Sequence, residues 1–366
     1  MAIKVLLVLD GGYRFDDPPA PEPDLTNEQD FQDDFTYTAL VGALTDGGIE
    51  VTKAHRDFDA TADHQDFNFA TTLDLMAFDV IWMIGHRGRN LGDPVQTKLL
   101  SPTELEAITR FMNAGGGVFA TGDHDSIGSE MCGKIPRVRA MRSWYGRDDA
   151  QAPFPGIIPD NFPPYGTSVG DDFYSRADTT LKNPLGQYPP KGVDDYVWFE
   201  NQSDSLPQAI TPTTSPAHPI LRKDGADITV YPDHMHEGNT LGEVPGYDYT
   251  QMVPIGGGGS VAEFPIVSGI RPMPQIIATG QTNGLSSGYA EFDTIIDESP
   301  ANLPEGINTL SVYDGREAGI GRVVTGATFH HYIDINLTGD IDVTGAVADR
   351  TGPDAAKGEG FGYAGA

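Results

Sequence analysis

Apolar positions along the chain fall into two kinds of run. Short, nearly continuous runs rich in β-branched residues, "IKVLLVLDGG", "IEVTKAHR", "FDVIWMIGH" and "GVFAT", read as strands, the first and third apolar on both faces as buried parallel strands are. Segments of helical period separate them. In "DDFTYTALVGALTDGG", Phe35, Leu40, Val41 and Leu44 share one stripe, with Asp33 or Asp34 as the expected N-cap and Gly47-Gly48 as the stop. In "SPTELEAITRFMNAGGG", Ser101 is the expected cap, Pro102 takes the first helical position and Glu104 closes a capping box, while Leu105, Ile108, Phe111 and Met112 face inward. Alternating strand and helix predicts an α/β fold: a mainly parallel sheet with right-handed crossovers and helices on both faces. Ligand sites in such sheets gather at the carboxyl ends of the strands.

The pattern breaks between 147 and 205, where Pro, Gly, Asp and Tyr replace periodicity. The aromatic content predicts a long, irregular but ordered insertion of the kind that forms a lid or an interface. Regularity resumes in "HPILRKDGADITVYPDHMHEG", "PQIIATG", "LSVYD" and "GRVVTGATFHH", the last read as a strand ending on paired histidines. The expected organisation is one α/β domain in two parts, 1–146 and 206–337, split by the 147–205 insertion and followed by a loosely ordered tail, 338–366. The glycine loop "IGGGGSV" lacks the helix and Lys-Ser/Thr pair of a phosphate loop, which argues against nucleotide binding there.

Composition narrows the partners. A chain of 366 residues, 39% of them apolar, can bury a sizeable core. No apolar run approaches the roughly 18 residues that a bilayer crossing needs, and "MAIKVLLVLDGG" enters a strand without a charged leader. A single cysteine, Cys132, cannot form an internal disulfide, and the expected compartment is the cytoplasm. Fifty-three acidic against 23 basic residues give a formal charge of −30, which repels nucleic acid and anionic membrane alike. The acidic excess reads as a solvated surface, suited to a saline habitat, since no EF-hand spacing appears.

The order and spacing of "FDVIWMIG", "LSPTELEAITRFMNAGGGVFATGDH", "HPI" at His218 to Ile220 and "GRVVTGATFHH" resemble the ThuA-like family, within the class I glutamine amidotransferase-like fold. The resemblance is discontinuous and leaves out the insertion and the tail. It implies a flavodoxin-like, amidotransferase-like sheet and a link with sugar utilisation. In the amidotransferases, the strand that "GVFAT" resembles ends in an elbow of the type G-x-C-x-G, matched here by Gly122, Asp123, His124, Asp125 and Ser126. The cysteine is absent, which removes thiol-based glutamine hydrolysis. ThuA-like proteins commonly carry histidine at this turn.

An elbow would present His124 above the sheet edge, where Asp123 and Asp125 raise the proton affinity of any imidazole they touch. His124 is therefore the expected acid/base and Asp123 its orienting partner, with Asp125 and His331 completing the catalytic set. The alternative is that the two aspartates cap the next helix and His124 packs against the loop. His330 and His331 are adjacent, so strand alternation lets only one join a given cluster. Expected substrate-binding groups are Asp10 at the first strand tip, His86 and Arg87 in "GHRGRN", and Arg142 in "GKIPRVRAMRSWYGR". Pairing with the abundant carboxylates is the alternative for the arginines, and Cys132 reads as a small buried apolar residue.

"PDHMHEG" puts His234 and His236 on one face of an extended segment, with Glu237 beside them. The expectation is a divalent transition metal, zinc, manganese or iron, against an ordinary polar loop. These pieces predict an enzyme acting on a polar small molecule, a carbohydrate derivative, by hydrolysis or proton abstraction. With metal, a bound water supplies the nucleophile; without it, His124 acts as a plain base. The rival is a noncatalytic binding or assembly protein in which the insertion makes the contacts of a homo-oligomer.

Overall fold

Residues 2–16, 36–87, 99–123, 127–142, 144, 199–200, 208–231, 240–244, 247–266, 269–281, 286–287, 306–334 and 337 are described by the structure, a computed structural model. Nine strands among them join one sheet: β1 (Lys4–Leu9), β2 (Glu50–His55), β3 (Val80–Ile84), β4 (Gly117–Thr121), β5 (Gln208–Pro212), β6 (Val230–Tyr231), β7 (Gln275–Gln281), β8 (Gly306–Tyr313) and β9 (Val323–Gly326). Their spatial order is β2-β1-β3-β4-β9-β8-β7-β5-β6. The first five run parallel. From β9 onward each neighbour is antiparallel, so only β8 and β5 reverse the common direction. The fold is thus α/β, with a large, mostly parallel central sheet and few helices.

Strand β1 shows why a run without polar alternation is stable at the centre of the sheet. Leu6 and Val8 enter one core with Ile81, Met83, Val118 and Ala120, joined by Ile108, Phe111 and Met112 of helix α2 (Pro102–Asn113). Leu7 and Leu9 enter a second core with Ile84, Phe329 and Leu40 of helix α1 (Thr38–Asp46). Each of these large side chains contributes about 1.5–3 kcal/mol by leaving water. A third core, including Ile210, Ile277, Leu310 and Val312, underlies the antiparallel half.

The two helices start in different ways. Helix α2 begins as the sequence predicts: Ser101 Oγ accepts from Glu104 N, Glu104 Oε2 accepts from Ser101 N, and Pro102 follows the cap. Glu104 has a second duty, since its Oε1 accepts from Arg56 Nη1 at 2.6 Å with both side chains about 3% exposed. Helix α1 departs from expectation. It starts at Thr38, after an N-cap, Tyr37, that makes no side-chain cap bond. Asp334, far along the chain, accepts from the backbone amides of Thr38 and Ala39 at 2.9 and 2.8 Å and from the Thr36 hydroxyl. A distant carboxylate therefore satisfies the orphan amides expected to fall to Asp33 or Asp34, which lie outside the described residues.

"GRVVTGATFHH" also differs from its reading. Strand β9 ends at Gly326, and His330–Tyr332 form a 3-10 turn, so strand alternation does not reach the histidines. The connection from β8 to β9 holds only a 3-10 turn, Arg316–Ala318, too short for a crossover, hence the antiparallel pairing. The glycine loop packs on the start of α2: a Cβ at Gly256 would lie 2.0 Å from the Pro102 carbonyl oxygen. Of the 147–205 insertion the structure describes only Phe199–Glu200, a short strand paired with Ser286–Ser287. The 338–366 tail lies outside the described residues. No described helix is long and apolar enough to cross a membrane.

The two helix starts can be ranked by unfolding. Glu104→Ala removes a capping-box arm and strips Arg56 of its buried carboxylate, which costs about 3–5 kcal/mol. Asp334→Ala removes the cap and the Thr36 hydroxyl bond but leaves no buried arginine without its carboxylate, and costs about 1–2 kcal/mol. Urea denaturation monitored by circular dichroism should return that order, and equal costs would contradict the double role of Glu104.

Candidate functional site

Strand register brings three tips to one level. Leu9 pairs with Ile84, and Ile84 with Thr121, so Asp10, Gly85 and Gly122 emerge together at the carboxyl edge. The chain passes from β1 to β2 on one side and then from β2 across to β3 on the other. That reversal opens a crevice between β1 and β3, the place where ligands bind in sheets of this kind. Beside it, at the tips of β3 and β4, the floor is main chain. A Cβ at Gly85 would lie 2.5 Å from Gly128 Cα, and one at Gly122 would lie 2.2 Å from Ile127 O. Gly128 itself holds φ +91°, a left-handed conformation that disfavours other residues.

Asp10 closes the β1 side. Its Oδ1 accepts from the backbone amides of His86 at 2.6 Å and Arg87 at 3.0 Å, while Oδ2 is buried with no hydrogen-bond partner. Burial raises its pKa, against the two amides and Arg56, which lower it. Arg87 reaches outward and donates from Nε and Nη2 to both oxygens of Asp57 at 2.8 Å. Glu130, 3% exposed on the short helix α3 (Ser129–Cys132), lies in the same electrostatic neighbourhood. Its carboxyl pKa is raised, first by burial and then by Asp10. Arg56 and Arg87 are matched by Glu104 and Asp57, so Asp10 and Glu130 compete as the remaining acids.

A ladder of rings lines the crevice. Tyr13 stacks on His86 with centroids 3.9 Å apart, His86 meets the edge of Phe329 at 4.4 Å, and Phe329 stacks on His330 at 4.5 Å. Tyr37 Oη and His86 Nε2 share a 2.8 Å hydrogen bond. Burial, followed by the nearby His55 and His330, holds the His86 pKa well below its ordinary value. Burial likewise pushes the Tyr37 phenol well up, so at neutral pH this pair is an uncharged imidazole and an intact phenol.

The ladder ends on a dyad. His330 Nε2 lies 3.2 Å from Asp123 Oδ2, with side-chain exposures of 16% and 3%. Asp123 follows β4 and His330 follows β9, its parallel neighbour. Arg142, 1% exposed, locks the two: its Nη2 donates to the carbonyls of Asp123 and Ala327 at 2.6 Å, its Nε to that of Gly326 at 3.0 Å. A carboxylate that orients an imidazole and stabilises its protonated form is the minimum apparatus for moving a proton.

The expected site residues fall out as follows. Asp10, His86, Arg87 and Asp123 gather at one edge. Arg142 is turned onto main-chain carbonyls, where it positions strand tips instead of facing the crevice. His331 is 7% exposed and packs on Tyr231 at 4.5 Å, so His330 is the histidine brought to Asp123. His124 and Asp125 lie outside the described residues, as do the proposed metal ligands His234, His236 and Glu237. Among the described residues no group of three or more His, Cys, Asp or Glu is placed to hold a metal ion. Cys132 is fully buried, and burial raises its thiol pKa well up, in keeping with a packing role. Sequence reading passed over Tyr13, Tyr37, Glu130 and Phe329. The proximity of Tyr13 to the β1 tip was a usable signal; Tyr37 and Phe329 enter only through tertiary contact.

No protein-family model matches this sequence, and a search of curated proteins likewise finds no match.

The Glu130 carboxyl fixes the sign of a pH effect. A native pKa raised above the unfolded value means that the folded state binds the extra proton, so stability falls as pH rises from the unfolded value, near 4.5, toward the native one. Glu130→Gln removes that penalty. The variant should resist urea better than the parent at pH 7, and the gap should close below about pH 4. A gap that widens toward acid would show that the carboxylate form is the stabilised one.

Proposed function

We propose that the chain is an enzyme of ThuA-like type, with a flavodoxin-like, amidotransferase-like sheet carrying helices on both faces. It acts in the cytoplasm on a polar small molecule, a carbohydrate derivative, by hydrolysis or proton abstraction. The observation that carries this reading is the dyad of Asp123 and His330 on adjacent parallel strand tips, beside the crevice between β1 and β3. The strand order supports the flavodoxin-like reading, since the reversal at β1 is the one that defines such sheets.

In this reading Asp123 orients His330, and His330 takes a proton from the substrate or from a water beside it. His124, next to Asp123 in sequence, is the second candidate for that step, and the metal expected at His234, His236 and Glu237 would supply an activated water. The uncharged Tyr37 and His86 pair, buried at Tyr37 and at His86 Nδ1 and hydrogen-bonded to itself, backs the site without attracting ions. Tyr13, partly exposed and stacked on His86, adds one flat face of the kind on which sugar rings pack.

Turnover of a panel of sugar derivatives, esters and amides, with and without added zinc or manganese, tests the reading. The expected result is at least one substrate whose kcat falls about 100-fold or more in His330→Ala and in Asp123→Asn, with far-ultraviolet circular dichroism unchanged. His124→Ala in the same panel assigns the share of that residue. Binding of panel members without turnover in any condition would replace the enzyme by a binding protein. Undiminished turnover in His330→Ala would remove the dyad from the chemistry.

A further inference from the structure

The opposite edge of the sheet, where the parallel strands begin, carries a polar cluster that the proposed reaction does not use. Strand β8 ends at Tyr313, paired with Val323 at the start of β9, and its ring packs on Phe264 at 5.1 Å. Glu263, beside Phe264, accepts from the backbone amide of Arg137. The Arg137 side chain donates from Nη2 to Asn113 Oδ1 at 2.9 Å, at the end of α2. Arg271 arrives in the segment before β7, whose first residue, Gln275, pairs with Val312. The Tyr313 hydroxyl is faced electrostatically by Arg137, Asp314 and Arg271.

Donors outnumber acceptors here. Arg137 is 1% exposed, and its Nε and Nη1 are buried without a hydrogen-bond partner, as are the Tyr313 hydroxyl and Arg271 Nε. The neighbouring acids are engaged elsewhere. Glu263 Oε2 takes Arg139 at 2.6 Å, and Asp314 takes Arg316 and Arg322. Asp248, which also faces Arg271, is fully exposed and accepts from Thr250. A buried guanidinium without a contacting counter-charge is costly, and a group that only accepts hydrogen bonds relieves that cost.

The geometry points to a second ligand site, at Arg137, Arg271 and Tyr313, for a compact oxyanion of phosphate or carboxylate type. Two guanidinium groups supply planar forks of donors, and the phenol supplies one more from the strand end. Arg271 is only half-buried, so its outer nitrogens form the side from which an anion enters. The cluster lies at the strand starts and Asp123 at a strand tip, so occupancy does not depend on the proposed chemistry.

Calorimetric titration of the full chain with inorganic phosphate and, separately, with acetate tests the site, at constant ionic strength set by chloride. Tyr313→Phe and Arg271→Gln are the informative variants, because each removes donors that hold no partner in the fold. Saturable binding of at least one anion is expected, weakened about tenfold in each variant. Tyr313→Phe should unfold at the same urea concentration as the parent when no anion is added. Preference for phosphate would identify a phosphoryl group as the ligand, and preference for acetate a carboxylate. Absence of saturable binding for both anions, or binding unchanged in both variants, would overturn the proposal.

Discussion

The Arg142 guanidinium sets the distance between the two halves of the candidate site. Strand ends leave carbonyls without ladder partners, and those of Asp123, Gly326 and Ala327 all receive this one buried cation. Its planar fork fixes direction as well as distance, and the Trp144 ring covers it at 4.6 Å from the guanidinium carbon. Because the bonded carbonyls belong to Asp123 itself and to the residues just before the Phe329-His330 turn, the clamp acts on the Asp123 and His330 pair through the main chain. A lysine could supply the charge but not three aligned bonds.

Charge around the crevice follows from the same economy of partners. Arg56 and Arg87 take one carboxylate each, Glu104 and Asp57. Asp10 is held instead by two backbone amides, which bring the start of the β3 loop down onto β1. Glu130 is buried beside Asp10, and burial and that acid raise its pKa against the opposing pull of Arg87 and Arg56. The result is a strand edge at which Asp10 and Glu130 are both pushed toward their neutral forms, inside a chain of formal charge −30.

Local signals in the sequence carried the amino-terminal half of the fold. Helix α2 was legible because its cap, its proline and its capping-box glutamate are neighbours in the chain. Helix α1 was legible in its apolar stripe but not in its start, because Asp334 reaches it only after folding. The antiparallel run from β9 to β6 was not legible, since strand periodicity does not say which neighbour a strand will choose. The site shows the same division. Asp10, His86, Arg87 and Asp123 could be placed by the rule that strand tips carry function. The choice between His330 and His331 turned on where β9 stops, and alternation counted through Ala327 and Thr328 no longer applied once the chain had left the sheet.

The contact of Gly85, Gly122 and Gly128 reaches beyond local packing. Where three backbones touch, no side chain can be added to the floor of the crevice and none can be taken away. Variation at this edge is then left to the rim, to side chains such as Tyr13, Arg87 and His330, whose size and charge can change without moving the floor. Divergence at this edge would run through that rim, like a lock whose backplate is cast and whose wards alone can be cut.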